Sequence, residues 1–449
     1  MRKQTFYIES LGCKVNQYES DAIAARLEAH GFSRAGKAQS ADICIVNTCA
    51  VTSRAGMQSR QETRKLIRKH PDATVIVTGC HAQTDPEQFR KISGVDLIVC
   101  HQDKSLIPEY LARKAADKDL FKFRRPEYGK SACFLKFVES DQPVFGKMTR
   151  AYLKIQDGCN QFCTYCIIPY ARGASVSMPF DQVMTHVSSL NRIGFKEVIL
   201  TGIHTGLYGL DLTPETSLTQ LVKKMDEKRP VDQIRISSIE PNEITDELIH
   251  MAGPGHILCD HFHIPLQAGD NDVLARMKRP YSVEQFSEVI HRIHEILPYA
   301  GIGLDVIMGF PGETDKAFEN TYQLVVDLPV SYLHVFPFSP RQGTPAWHFT
   351  PKVPSNKAKK RAALLRELGE QKRSAFIELN RGRVLQGLIQ NQRDRHTGML
   401  KAITTNYLTV FIEDEGDSQG IQDKLKGKIV NLKYDQSGNA NCLVGQIVP

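Results

Sequence analysis

No run of apolar residues in the sequence approaches the ~18 to 20 needed to cross a bilayer, so no membrane span is expected. The opening segment, "MRKQTFYIESLGC", lacks the apolar core of a signal peptide and runs straight into a strand-like pattern. Both absences point to a cytoplasmic protein. Charge of one sign does not dominate either. The 57 Lys and Arg against 50 Asp and Glu leave a net +7, compatible with a polyanionic partner but not diagnostic of one. Tryptophan is nearly missing; Trp347, after "RQGTPA", is expected to be an interdomain packing anchor rather than a base-stacking platform. A content of 41% hydrophobic and 24% charged residues excludes a disordered chain, and 449 residues imply two to four domains.

What the chain does have is cysteine, eleven in all. The number is odd, the spacing is clustered, and a cytoplasmic protein does not rely on structural disulfides, which together point to metal or catalysis. The first ~110 residues alternate strand and helix patterns, which predicts an α/β domain with a parallel sheet. "TFYIESLGC", "DICIVNTC" and "ATVIVTGC" are strand-like and each ends on a cysteine, while "DLIVC" reads as a fourth strand. Cys13, Cys49 and Cys80 thus sit where the chain turns from strand to helix, at the edge of the sheet where α/β folds bind ligands. Three small apolar residues in tight turns is the plainer alternative. Cys44 lies within a strand and reads as core, Cys100 is ambiguous, and Cys133 has no partner at metal spacing.

The segment "YLKIQDGCNQFCTYCIIPYARG" is a strand, a Gly turn and a loop with three thiols within eight residues. Structural zinc takes four ligands, usually in spaced pairs, so this loop is one ligand short. Three thiolates suit a 4Fe-4S cluster with one iron left open for chemistry. With Tyr165 before the last of them, Cys159, Cys163 and Cys166 resemble the radical S-adenosylmethionine signature. The resemblance implies that the open iron is chelated by S-adenosylmethionine, whose reductive cleavage yields a 5′-deoxyadenosyl radical. It also implies cofactor contacts from Tyr165, from Thr201 and Gly202 in "EVILTGIHTGLYG", and from Ser237 and Ser238 in "IRISSIEP", with Gln267 and Asp305 as further candidates. Taken as residues alone, any of these polar groups could merely cap the next helix. Repeated strand–loop–helix units from 149 to about 350 predict a partial (β/α) barrel with its site at the strand ends.

The upstream cysteines joined to this signature make the chain similar, over essentially its whole length, to the methylthiotransferases. That resemblance implies a second 4Fe-4S cluster on Cys13, Cys49 and Cys80, which leaves Cys100 out. It further implies that one S-adenosylmethionine methylates sulfur on the auxiliary cluster while another supplies the radical. The run "CKVNQYES" is like the branch acting on N6-threonylcarbamoyladenosine beside the tRNA anticodon; the branch acting on isopentenyl-type adenosine is the alternative. A departure follows Arg172 and Gly173, where "ASVSMPF" stands in place of the arginines common in relatives.

Two basic helices are expected to offer phosphate contacts: residues 54–70, with six Lys or Arg, and residues 352–373, with eight against two Glu. A solvated helix face explains either one equally well. From Arg381 the texture changes to short strands, including "NCLVGQIVP" with Cys442, and predicts a small all-β barrel similar to the RNA-binding TRAM domain. The expected organisation is 1–112 for the auxiliary-cluster domain, 113–148 for a linker and edge hairpin, 149–380 for the radical core and 381–449 for the TRAM-like barrel. The partners implied are a tRNA anticodon stem-loop and proteins that supply reductant and sulfur. A rival from another class is an RNA-binding protein whose cysteines hold structural zinc.

Overall fold

The computed structural model describes residues 3–36, 41–113, 148–412, 424–434 and 443–449. The segment expected to be a linker, with Cys133, and the strand position expected for Cys442 lie outside the described residues, apart from the segment's ends.

Strands β1 (Thr5–Ser10), β2 (Ser33–Arg34), β3 (Ile43–Thr48), β4 (Thr74–Gly79) and β5 (Leu97–Ile98) form a parallel sheet in the order β2–β1–β3–β4–β5. Its centre is β3, "ICIVNT", buried at every position because helices cover both faces. The helix Lys14–Ala29 lays Ile23 and Leu27 on the sheet and ends before Gly31, whose φ of +89° suits glycine. The helix Ser53–Lys69 starts where the Thr52 hydroxyl accepts a hydrogen bond from the Ala55 N–H, 3.1 Å away. It buries the Gly56–Ser59–Thr63–Leu66 stripe and turns Arg54, Arg64, Arg68 and Lys69 to solvent. The fourth strand expected from "DLIVC" shrinks to Leu97–Ile98; Cys100 lies past it, buried, at the start of a 3₁₀ turn.

The second unit holds β6 (Ala151–Lys154), β7 (Gln156–Asp157), β8 (Val176–Ser177), β9 (Glu197–Thr201), β10 (Gln233–Ile236), β11 (His261–Gln267), β12 (Gly301–Met308) and β13 (Tyr332–Pro337). Two parallel sheets, β10–β9–β6 and β11–β12–β13, meet at the β10 and β11 edges, where the Ile239 N–H donates to the His263 carbonyl at 3.0 Å. This is a partial (β/α) barrel filled by one large apolar cluster. Tyr18 of the first unit belongs to that cluster, so the two units share a core. β7 pairs antiparallel with β8, which occupies the "ASVSMPF" segment. There the Ser177 N–H donates to Asp211 (2.9 Å) and the Ser177 hydroxyl accepts from the Gly209 N–H (2.8 Å), so the segment is built into the barrel edge.

The helix Ser355–Leu379 packs along β13, and its charges are less available than its sequence suggests. Arg361 is buried between Glu313 and Asp315, Lys357 pairs with Asp315, and Lys372 donates to the carbonyls of Val326 and Leu328. With Arg366, which donates to the Val335 carbonyl at 3.1 Å, four of the eight cations expected to meet phosphate therefore hold the helix to the barrel instead, while Lys359 and Lys360 stay exposed. Trp347 does not anchor domains: it is 38% exposed on a 3₁₀ turn, with the Lys352 ammonium over its ring.

The helix runs into β14 (Leu385–Ile389), β15 (Lys401–Thr404), β16 (Thr409–Ile412), β17 (Ile429–Lys433) and β18 (Leu443–Val448). The described residues close these strands into a barrel in the order β14–β15–β16–β18–β17, with β16 and β18 parallel and the other pairs antiparallel. Phe376 and Ile377 of the helix belong to its core. The β15–β16 turn fastens this barrel to the larger one. Arg235 donates to the carbonyls of Thr405 (2.8 Å) and Thr404 (3.1 Å), and Asn406 donates to Tyr299 (3.1 Å). Gly301 lets the turn come close, since a Cβ there would lie 2.2 Å from the Asn406 carbonyl.

Candidate functional site

Every candidate residue from the sequence, the six thiols together with Tyr165, Thr201, Gly202, Ser237, Ser238, Gln267 and Asp305, lines one cavity of about 740 Å³. It lies between the strand ends of the parallel sheet and those of the partial barrel, and Tyr407 of the small barrel reaches its wall.

Cys13 begins the helix Lys14–Ala29, Cys49 follows β3, and Cys80 opens the short helix Cys80–Thr84 after β4. The register of β1, β3 and β4 sets these three turns side by side. Gly12, at φ +95°, allows the approach, because a Cβ there would fall 2.5 Å from the Cys49 sulfur. Burial pushes the Cys49 thiol up to about 12, with the Val51 N–H opposing and Cys80 and Cys13 adding to the rise. Burial also raises Cys80, against the pull of Arg172 and Lys104.

Cys159, Cys163 and Cys166 come from a single loop between β7 and the helix Ile168–Arg172. Burial pushes Cys166 up to about 12 and raises Cys163 despite Arg279 beside it. Buried thiols of this kind stay protonated unless a positive centre takes them, and a bound metal deprotonates such thiols outright.

Sulfur spacing bears on which metal fits. Four thiolates on one zinc, with Zn–S near 2.3 Å, lie ~3.8 Å apart. Among the described residues, neither thiol trio draws all its sulfurs within 4.8 Å of one another, whereas two His/carboxylate groups meet that limit. Neither trio is thus drawn together as one zinc would draw its ligands, and each supplies three sulfurs where a closed zinc site takes four ligands.

Each trio has an arginine on one sulfur. Arg279 donates to the Cys163 sulfur at 3.2 Å and pairs with Glu240. Arg172 donates through Nε to the Cys80 sulfur at 3.2 Å and through its other nitrogens to Glu19 (2.8 Å), Asp157 (2.8 Å) and Asn16 (2.9 Å). Lys104 pairs with Glu19, and Lys154 pairs with both Glu19 (2.9 Å) and Asp157 (2.6 Å), all of them buried. Burial alone would raise the Glu19 carboxyl, but Arg172, Lys104 and Lys154 hold it well below the ordinary range. Asn16, Glu19 and Lys104 belong to the first unit and Lys154, Asp157 and Arg172 to the second, so the network ties the auxiliary trio to the barrel.

The strand-end groups are positioned as follows. The Gln156 side-chain carbonyl accepts from the N–H groups of Ile203 (3.0 Å) and His204 (2.8 Å), fixing the turn that carries Thr201 and Gly202. His204 contacts the Cys159 sulfur at 3.6 Å and Glu243 at 2.5 Å. Burial lowers the imidazole, but these two partners outweigh it and lift it to about 10. The Ser237 N–H donates to Leu200, and the Ser238 carbonyl accepts from Thr205. Gln267 stands at φ +63°, and its buried Oε1 has no hydrogen-bond partner, an acceptor left for a ligand. Asp305 bonds His263 (3.0 Å) and His334 (3.3 Å), which carry it well below the usual range although burial opposes them. Tyr165 packs edge-on against Phe310.

Sequence reasoning passed over Arg172, His204, Arg279, the His261–Tyr332–Tyr407 wall and the buried network. One signal was there: Glu19 shares the helix face of Ile23 and Leu27, and a carboxylate on an apolar stripe needs a buried cation.

The sequence pattern of the Radical SAM superfamily matches residues 153–325, and that of the Uncharacterized protein family UPF0004 matches residues 5–100. The chain is 38% identical to the threonylcarbamoyladenosine tRNA methylthiotransferase MtaB of Bacillus subtilis (strain 168), over 97% of this chain and 94% of that one. It is 30% identical to the tRNA-2-methylthio-N(6)-dimethylallyladenosine synthase of Clostridium botulinum (strain Hall), over 98% and 96% of the two chains. Among solved structures, the radical S-adenosylmethionine methyltransferase TsrM of Kitasatospora setae shares the fold with a TM-score of 0.54, at 14% identity over 75% of this chain and 73% of that one.

Proposed function

The chain belongs to the radical S-adenosylmethionine tRNA methylthiotransferases, and from that premise we propose that it converts N6-threonylcarbamoyladenosine in tRNA to its 2-methylthio derivative. The choice of nucleoside follows the greater similarity to the threonylcarbamoyladenosine enzyme than to the dimethylallyladenosine one, 38% against 30% identity. The observation that carries the reading is the single cavity on which both thiol trios and the strand-end polar groups open.

Our reading assigns a 4Fe-4S cluster with S-adenosylmethionine to Cys159, Cys163 and Cys166, and a second 4Fe-4S cluster to Cys13, Cys49 and Cys80. Bound there, these groups supply a radical to remove hydrogen from an aromatic carbon and a methylated sulfur to replace it. The protein's own residues position and shield. Gln267 offers its free acceptor to the amine of S-adenosylmethionine, and Thr201, Gly202, Ser237 and Ser238 line the same wall. Arg279 and Arg172 hold one sulfur of each trio and offset thiolate charge. Stacked His261 and Tyr407, 4.2 Å apart, form an aromatic wall that limits water.

The RNA is expected to approach across the small barrel. Arg150, Arg393 and Arg395, together with Asp394 and Lys401 paired at 3.4 Å, line a cleft of about 450 Å³ between that barrel and the first strand of the larger one, where the arginines would meet phosphate. We assign the small barrel a TRAM-like RNA-binding role, the anticodon stem-loop as the part of tRNA bound, and proteins supplying reductant and sulfur as further partners, all in the cytoplasm. No helix among the described residues is long and apolar enough to cross a membrane. The zinc-holding alternative is disfavoured because each trio brings three thiols to the cavity where a closed structural site takes four ligands.

Mass analysis of tRNA nucleosides tests substrate and reaction together. A strain lacking the protein should retain N6-threonylcarbamoyladenosine and lose its methylthio form. Loss confined to the methylthio-isopentenyl nucleoside would assign the chain to the other branch.

A further inference from the structure

The cavity wall carries three Lys or Arg side chains: Lys14, Arg172 and Arg279. Two of them are paired with carboxylates, Arg172 with Glu19 and Asp157, and Arg279 with Glu240. Lys14 has no ion-pair partner among the described residues. Burial first, then the like charges of Arg150 and Arg235, weigh against its ammonium, and Asp305 and Glu197 of opposite sign favour it. Both carboxylates are already engaged, Asp305 by His263 and His334, and Glu197 by Arg235 at 3.0 Å and Arg150 at 3.6 Å. His204 is likewise taken by Glu243. Lys14 is therefore the surplus positive group on a wall whose other cations are neutralised, and it follows Cys13 directly, beside the auxiliary trio.

We propose that Lys14 is the specificity residue that receives the free carboxylate of the substrate's threonyl group. This rests on the function proposed above and deepens it. Joining threonine through its amine to a carbamoyl leaves one carboxylate on the modified adenosine, whereas an isopentenyl substituent is hydrocarbon throughout. A carboxylate entering a half-buried cavity must find a cation or bear its desolvation cost. A cation awaiting it disfavours the hydrocarbon side chain, which would enclose the ammonium without pairing it. The one unpaired ammonium thus makes the cavity selective for the charged substituent, independently of contacts to the base or the RNA backbone.

The test compares two synthetic anticodon stem-loops, one bearing N6-threonylcarbamoyladenosine and one bearing an N6-alkylcarbamoyl adenosine of similar size without the carboxylate. Affinities for the full-length reconstituted protein are read by fluorescence anisotropy. The wild-type protein should bind the carboxylate-bearing RNA about tenfold more tightly, ~1.4 kcal/mol. Lys14→Met should bring the ratio close to one, and Lys14→Arg should restore most of it. Because the readout is a ratio, general damage to the protein affects both RNAs alike and cancels. Equal binding of the two RNAs by the wild-type protein, or an unchanged ratio in Lys14→Met, overturns the inference. Methylthio product is measured on the same RNAs: a wild-type protein that makes product but binds both RNAs equally contradicts the role of Lys14 alone, and one that makes no product on the threonylcarbamoyl RNA contradicts the function as well.

Discussion

The two thiol trios reach the same cavity by opposite routes. Cys159, Cys163 and Cys166 come from one loop, so their placement needs little more than a local turn sequence. Cys13, Cys49 and Cys80 come from three strand ends separated by 67 residues of chain, and they meet only when the parallel sheet is in register. Their supporting arginines differ in the same sense. Arg279, which holds Cys163, belongs to the same unit as the loop it serves, whereas Arg172 crosses from the barrel to hold Cys80 of the sheet. Both trios are formed within their own unit, but only the dispersed one takes its supporting arginine from the other.

Replacing one cysteine in each trio breaks this comparison most sharply. Cys163→Ala should abolish formation of 5′-deoxyadenosine, measured by chromatography after anaerobic reduction. Cys80→Ala should yield 5′-deoxyadenosine without methylthio product, and normal product from Cys80→Ala would contradict the auxiliary assignment. Next in size is Arg172→Leu, which leaves Glu19 and Asp157 buried with one cation fewer. Loss of one partner from a buried ionic group costs ~3–5 kcal/mol. Chemical denaturation should show that loss, together with reduced iron retention at the N-terminal trio and little change at the core trio. Smaller still is Gln267→Leu, which removes the free acceptor on the cavity wall. S-adenosylmethionine affinity, read by equilibrium binding, should fall about fivefold, in line with one hydrogen bond of ~1 kcal/mol. Trp347→Ala should matter least, within ~0.5 kcal/mol of stability, because the ring is an exposed surface group and not a domain anchor.

The fold and the thiols were legible because their signals are local. Continuous apolar runs mark β3 and β4, a cysteine closes each, and the spacing of the core loop is written within eight residues. The strand-end polar groups came from the resemblance to the radical S-adenosylmethionine family, and they meet because a parallel barrel brings all its carboxyl ends to one face. The buried network was not legible, because Arg172 and Glu19 are 153 residues apart and meet only across docked units. The basic helix misled for a related reason. Its charge is plain in the sequence, yet Arg361, Lys357 and Lys372 are spent on neighbours that only the tertiary packing supplies. Trp347 misled through rarity, since a lone tryptophan suggests packing and this one lies on an outer turn.

Iron quantitation with Mössbauer spectroscopy on protein reconstituted without oxygen tests the central claim most directly. Two open-site clusters on the two trios give about eight irons per chain, with spectra that change when S-adenosylmethionine is added. About four irons per chain, in one cluster, would contradict it.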